Sequence, residues 1–128
     1  MTDQAIEQEI QAKGLTAPRV TPADIEAEIT HCYYFNAGEC HRKFWPDPNA
    51  ADETHPSIDL LTFCVLVLRN GFTVTGESAC ASPENFDAEL GCKIARRNAE
   101  AKIWPLLGFR LRDRLSAWDA MRDAGIAC

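Results

Sequence analysis

At 128 residues the chain has room for one domain with a modest core. Its 46% hydrophobic and 25% charged residues are ordinary for a globular protein, and no apolar run is long enough for a membrane span. A net charge of −6 argues against general binding to DNA or RNA phosphates. The first residues are polar and acidic and lack a signal-peptide core, so the expected location is a cytoplasm. The six cysteines follow no disulfide framework, so free thiols are expected in that compartment.

Ile6 and Ile10 stand one helical turn apart, which predicts a short amphipathic helix over 3–12, ended by Gly14 and Pro18. Thr21-Pro22-Ala23-Asp24 marks a second, capped helix start, with Ile25 and Ile29 on its buried side. The aromatic stretch from His31 to Trp45 is ambiguous between strand and helix. Pro46 to Pro56 reads as a polar loop with three prolines. The first 59 residues therefore read as a helical and loop region, and 60–128 as a hairpin with a two-helix core, all within one domain.

The hairpin is the clearest signal. Leu60 to Leu68 is apolar, Phe72 to Ala79 carries Val and Thr, and Asn70-Gly71 lies between them. That dipeptide favours a two-residue type I′ turn, since both central residues need positive φ. Such a turn places Val67 opposite Val74. Phe63, Val65, Val67, Phe72 and Val74 then share the face that belongs on the helices. Cys64, Leu66 and Leu68 fall on the other face, which needs cover from the N-terminal segment or from another subunit. A lone hairpin is marginal, so a further strand is expected from Tyr33–Phe35, from Arg42–Trp45 or from a neighbouring subunit.

Ser82-Pro83 predicts the next helix start, through a serine cap and a proline at the first position. Phe86, Leu90, Ile94 and Ala101 mark the buried stripe of that helix, and Leu107, Leu111, Leu115 and Trp118 that of the next. Trp104-Pro105 separates the two. Helices covering a small antiparallel sheet make an α+β fold.

The chain offers little for catalysis. No nucleophile–base–orienter set is legible, and no glycine-rich phosphate loop is present. Glu84, Asp87 and Glu89 suit capping of a helix start. His31-Cys32 and Cys40-His41 are four soft donors, but they lack the close Cys-x-x-Cys spacing of a zinc site, so unliganded residues are expected. The reading is a protein that is not an enzyme and carries no cofactor or metal.

Charge is uneven along the chain. From Lys93 onward the balance is +4, leaving −10 for the rest. A basic helical end on an acidic protein suggests either a local anion site or self-complementary packing. Arg110 and Arg114 stand one turn apart, where two surface guanidiniums reach one phosphate. Arg96 is a third candidate from the preceding helix. Phe72 offers a ring for a base to stack on, and Asn85 offers a donor and an acceptor to a base edge.

Several segments also carry a resemblance. These are Leu61-Thr62-Phe63-Cys64-Val65-Leu66, Asn70-Gly71-Phe72-Thr73-Val74, Gly76-Glu77-Ser78-Ala79-Cys80, Ser82-Pro83-Glu84-Asn85-Phe86-Asp87, Lys93-Ile94-Ala95-Arg96 and Ile103-Trp104-Pro105-Leu106. With a looser echo at Arg19-Val20-Thr21-Pro22, they closely resemble a small phage-protein family named after gene product forty-nine of one podophage and gene sixty-six of another. More distantly, the chain is similar to the first-described Thoeris anti-defence proteins of phages. Those are sponges that sequester a cyclic ADP-ribose isomer in recesses between subunits, using arginines, an aromatic ring and an asparagine. Arg110, Arg114, Phe72 and Asn85 match that set by residue type and local context.

The resemblance implies a phage anti-defence protein in the cytoplasm of an infected bacterial host. It would be a homo-oligomer, a dimer or higher, holding a nucleotide signal (a cyclic ADP-ribose isomer or a cyclic oligonucleotide) without degrading it. The alternative is a phage accessory protein that binds another protein through an apolar sheet face. Neither reading needs a nucleic acid polymer or a membrane.

Overall fold

A computed structural model of the chain describes residues 2–45 and 54–125. Most of the expected 46–56 loop lies outside the described residues. The chain is α+β, as its patterning predicts. It divides into two compact units. One joins Met1–Glu28 with Ile103–Cys128, and the other runs Ile29–Lys102.

The first unit is helical. Helix α1, Asp3–Ala12, starts where the Thr2 hydroxyl accepts the Ala5 N–H at 3.1 Å and ends before Gly14, whose φ is +67°. Helix α2, Pro22–Glu28, opens on a reciprocal box. The Asp24 N–H donates to the Thr21 hydroxyl at 3.2 Å, and the Thr21 N–H donates to the Asp24 carboxylate at 2.9 Å. Ile25 is buried on this helix. Helix α5, Ile103–Asp123, carries Pro105 in its first turn, where a missing N–H loses no partner. Ile103 and Leu107 are buried, Leu111 and Leu115 half-buried, and Trp118 exposed, so the expected stripe fades toward the end of the helix.

The second unit is built on an antiparallel sheet in the order β1-β2-β3, with β1 Ile29–Asn36, β2 Leu61–Leu68 and β3 Thr73–Ala79. Of the two candidates for a third strand, Tyr33–Phe35 lies in β1. Arg42–Trp45 does not form a strand, because it is the last turn and C-cap of helix α3, Ala37–Phe44, whose start Asn36 caps by accepting the Glu39 N–H at 3.0 Å. Helix α4, Ala88–Ala101, packs on β2 and β3.

The hairpin register differs from expectation by one residue. Leu66 pairs with Val74 and Val67 with Thr73. The Leu68 N–H donates to the Phe72 carbonyl at 2.8 Å, and the Gly71 N–H to the Leu68 carbonyl at 2.9 Å. The loop is thus the three residues Arg69-Asn70-Gly71. Among the described residues only glycines take positive φ, and Gly71 does so at +87°. This is the three-residue loop with one left-handed glycine, not the type I′ turn. Because side chains alternate, the one-residue slip moves Val74 and Gly76 from the Val65–Val67 face to the Cys64–Leu66 face. Cys64, Leu66, Leu68 and Val74 are the buried set, and α4 covers them.

The first long helix also departs from its expected stripe. Leu90 and Ile94 are 53% and 41% exposed, whereas Gly91, Ala95 and Ala99 are buried. The reason is proximity. A Cβ added at Gly76 on β3 would stand 2.3 Å from both the Ala95 carbonyl oxygen and the Ala99 nitrogen. Only small residues fit where backbone meets backbone so closely. The start of α4 is corrected as well. Pro83–Asn85 is a single 3₁₀ turn in which Ser82 makes no side-chain cap, and Asp87 caps α4 by accepting the Leu90 N–H at 3.0 Å. The helices α4 and α5 part at Lys102, before the Trp-Pro pair, where the Lys102 N–H turns to the Ala99 carbonyl at 3.1 Å.

Candidate functional site

Arg110 and Arg114 lie one turn apart on α5, as their spacing predicts. Their surroundings differ. Glu28, the last residue of α2, is 2% exposed and receives both arms of Arg110. Nη1 reaches Oε1 at 3.1 Å and Nη2 reaches Oε2 at 2.9 Å. The hydrogen bonds to Glu28 raise the Arg110 pKa further above its usual value, with Asp24 adding to the field. This forked pair fixes the orientation of the guanidinium. Arg114 is exposed and makes no ion pair among the described residues.

Phe72, Asn85 and Arg96 belong to the sheet unit. Phe72 stands at the hairpin tip with 54% of its surface exposed. Its backbone is held there by the Asn70 side chain, which accepts the Phe72 N–H at 2.9 Å. Asn85 closes the 3₁₀ turn and is exposed. Arg96 on α4 donates Nε to Glu100 Oε1 at 2.8 Å and hydrogen-bonds Tyr34 of β1. Those contacts, Glu100 first, raise its pKa above the ordinary arginine value. No hydrogen bond or ion pair among the described residues links Phe72, Asn85 and Arg96 to one another.

Three features escape sequence reasoning. The first is a pair of thiols: Cys32 Sγ on β1 lies 3.7 Å from Cys64 Sγ on β2. Burial, and then the Cys32 thiol, push the Cys64 thiol up to about 12. The adjoining Tyr34 phenol is also pushed up to about 12, chiefly by its hydrogen bond with Cys32. Two cysteines 32 positions apart leave no local pattern. Only the pairing of β1 with β2 brings them together.

The second is a recess of about 210 Å³ in the helical unit, walled by Ile6, Ile10, Val20 and Trp104 above the Glu7–Arg19 ion pair. Arg19 holds the Glu7 carboxyl below its usual range. The third is an exposed aromatic sheet face. His31, Tyr33 and Phe35 alternate on β1 beside Phe63, Val65 and Val67 of β2, opposite the face that α4 covers. The His31 and Tyr33 rings stack with centroids 6.2 Å apart.

His31 and Cys32 lie on β1, and Cys40 and His41 on α3. Among the described residues no three His, Cys, Asp or Glu side chains gather as metal ligands. No helix among them is long and apolar enough to cross a membrane.

The model of the phage protein (N4 Gp49/phage Sf6 gene 66) family matches residues 20–115, well over half of the chain. The protein belongs to that phage family, as the resemblance implies. Comparison with curated proteins gives no match, and neither does comparison with solved structures.

Proposed function

We propose that this phage protein sequesters a nucleotide-type immune signal by stoichiometric binding, without turning it over. The observation that carries the reading is Phe72. A phenylalanine normally gains by burial, yet this ring is held out at a hairpin tip with 54% of its surface open to water. An exposed ring suits stacking on a base. The likeness to the sponge family supports the same reading, and so does the pair of arginines on α5. Arg114 is the primary phosphate ligand, because its guanidinium has no carboxylate partner among the described residues. Arg110, held by Glu28, supplies fixed positive charge one turn away. Asn85 and Arg96 are the remaining polar candidates. Cyclic ADP-ribose isomers and cyclic oligonucleotides are the ligand class.

Sponges of that family bind in recesses between subunits, so the proposal includes a homo-oligomer. The occupant of the open sheet face is a second copy of the chain. Three strands about 4.8 Å apart and about 25 Å long give a footprint on the order of 350 Å² per copy, which needs further contacts to reach a stable dimer. The face carries His31 at one corner and Glu77 at the diagonal corner. A two-fold copy can set each imidazole beside the other copy's Glu77 carboxylate, within hydrogen-bonding reach.

The test mixes purified protein with cyclic ADP-ribose isomers and cyclic di- and trinucleotides, separates the complex, and heats it to release what was bound. Intact ligand at a fixed molar ratio is expected. Altered ligand with turnover would make the protein an enzyme. No retention of any of them would leave the open sheet face, and a protein partner, as the leading account.

A further inference from the structure

We infer that Cys32 and Cys64 form a reversible thiol–disulfide site, oxidised by a small-molecule disulfide of the glutathione class. The two sulfurs already touch, at 3.7 Å, and a disulfide requires an approach to about 2.05 Å. Their accessibility differs in a way that orders the steps. Cys32 is partly exposed on the edge strand, whereas Cys64 is fully buried beneath α4. The Cys32 thiolate attacks one sulfur of oxidised glutathione. A mixed disulfide forms and one glutathione leaves with the proton. Cys64 then loses its proton and attacks the Cys32 sulfur, expelling the second glutathione. Two protein thiols are oxidised by two electrons, and one glutathione disulfide is reduced to two thiols. Burial that disfavours the Cys64 thiolate makes the second step the slow one and accelerates it with rising pH.

The register makes the bond labile. Cys32 stands across from Leu66, and Cys64 across from Tyr34, so the pair is diagonal. Diagonal positions lie farther apart than directly opposed ones, and closing the bond shears the strands. Strained disulfides have higher reduction potentials and open readily. The oxidised form therefore fastens the edge strand β1 to β2, and ordinary cytoplasmic thiols release it.

The experiment incubates the full chain with oxidised glutathione, blocks remaining thiols with iodoacetamide, and digests it for mass spectrometry. Before alkylation the expected product has lost the mass of two hydrogen atoms, which dithiothreitol restores; after alkylation, digestion yields one cross-linked peptide pair joining Cys32 to Cys64. In Cys64→Ala, the reaction should stop at Cys32 with one glutathione attached. A variant with Cys40, Cys80, Cys92 and Cys128 changed to Ser should oxidise like the wild type, which keeps the test open if Cys64→Ala fails to fold. Alkylation of both Cys32 and Cys64 after oxidation, a stable glutathione adduct on wild-type Cys32, or cross-links to other cysteines would each overturn the inference.

Discussion

The sheet unit and the helical unit close their interiors by opposite means. In the sheet unit, α4 lies so near β3 that Gly76, Ala95 and Ala99 meet backbone to backbone, and the buried set around them is Cys64, Leu66, Leu68 and Val74. In the helical unit, buried carboxylates are answered by arginines: Glu28 by Arg110, and Glu7 by Arg19. The first design depends on the absence of atoms, the second on the presence of a partner. The two should therefore fail differently when altered.

The largest effect is expected from Gly76→Val. Its side chain meets the α4 backbone, which cannot rotate away, so the helix must lift from the sheet. The loss should be about 3 kcal/mol or more, at the top of the range for overpacking. Urea unfolding followed by circular dichroism would measure it, and unchanged stability would show that α4 and β3 do not meet backbone to backbone at Gly76.

Arg110→Ala comes next. It takes the forked Arg110 guanidinium away from the buried Glu28 carboxylate, a type of change that costs about 3–5 kcal/mol in a fully buried pair. The Arg110 side chain is 39% exposed, so solvent screening reduces the expected loss to about 2 kcal/mol. Arg110→Ala with Glu28→Gln should recover most of it. Arg114→Ala should change stability by less than about 0.5 kcal/mol, although it lies only one turn away. Calorimetry with a cyclic nucleotide should then show Arg114→Ala losing ligand affinity while its melting temperature is unchanged. Equal stability losses in the two arginine variants would show that the Glu28–Arg110 pair is not what closes the helical unit.

Gly71→Ala is a smaller test, confined to the hairpin. Alanine at a φ of +87° is strained, and a loss of about 1 kcal/mol is expected. The smallest expected effect is a pH dependence in the sheet unit. The Cys64 and Tyr34 groups both have folded pKa values pushed up to about 12. They keep their protons in the folded state after the unfolded chain has begun to lose its own. Their contribution is whole below about pH 8.5, the unfolded thiol value, and disappears as pH rises toward 12. Cys64→Ala should flatten that alkaline slope in thermal melts.

The sequence is most legible where one residue type answers one local demand. The Thr21–Asp24 box, the short helix of Ile6 and Ile10, and the arginine spacing on α5 are all local, and each stands in the structure as expected. Errors arise where geometry depends on a distant neighbour. Asn70-Gly71 announces a turn, but both a two-residue and a three-residue loop use it, and the choice moves every β3 side chain to the other face relative to β2. Leu90 and Ile94 are larger than Ala95 and Ala99, so hydrophobic periodicity selects the wrong stripe when close approach favours small residues. Glu28 and Arg110 are 82 positions apart and give no local sign of their pairing.

The hairpin register has an evolutionary consequence. In a strand pair joined by a loop, the sum of the positions of facing residues is constant, and its parity decides which side chains share a face. Here every facing pair in β2 and β3 sums to an even number, as Leu66 with Val74 does. Deleting one residue from Arg69-Asn70-Gly71 has two outcomes. If Leu68 still closes on Phe72 across a two-residue loop, the facing pairs are unchanged and Val74 keeps its place toward α4. If the loop keeps three residues by taking in Phe72, Leu68 closes on Thr73, and Val74 and Gly76 turn away from α4. Relatives that keep this helix–sheet contact are therefore expected to keep the Leu68–Phe72 closing pair through any change of loop length. That pair, rather than the stretch between, acts as the inherited phase marker of the hairpin.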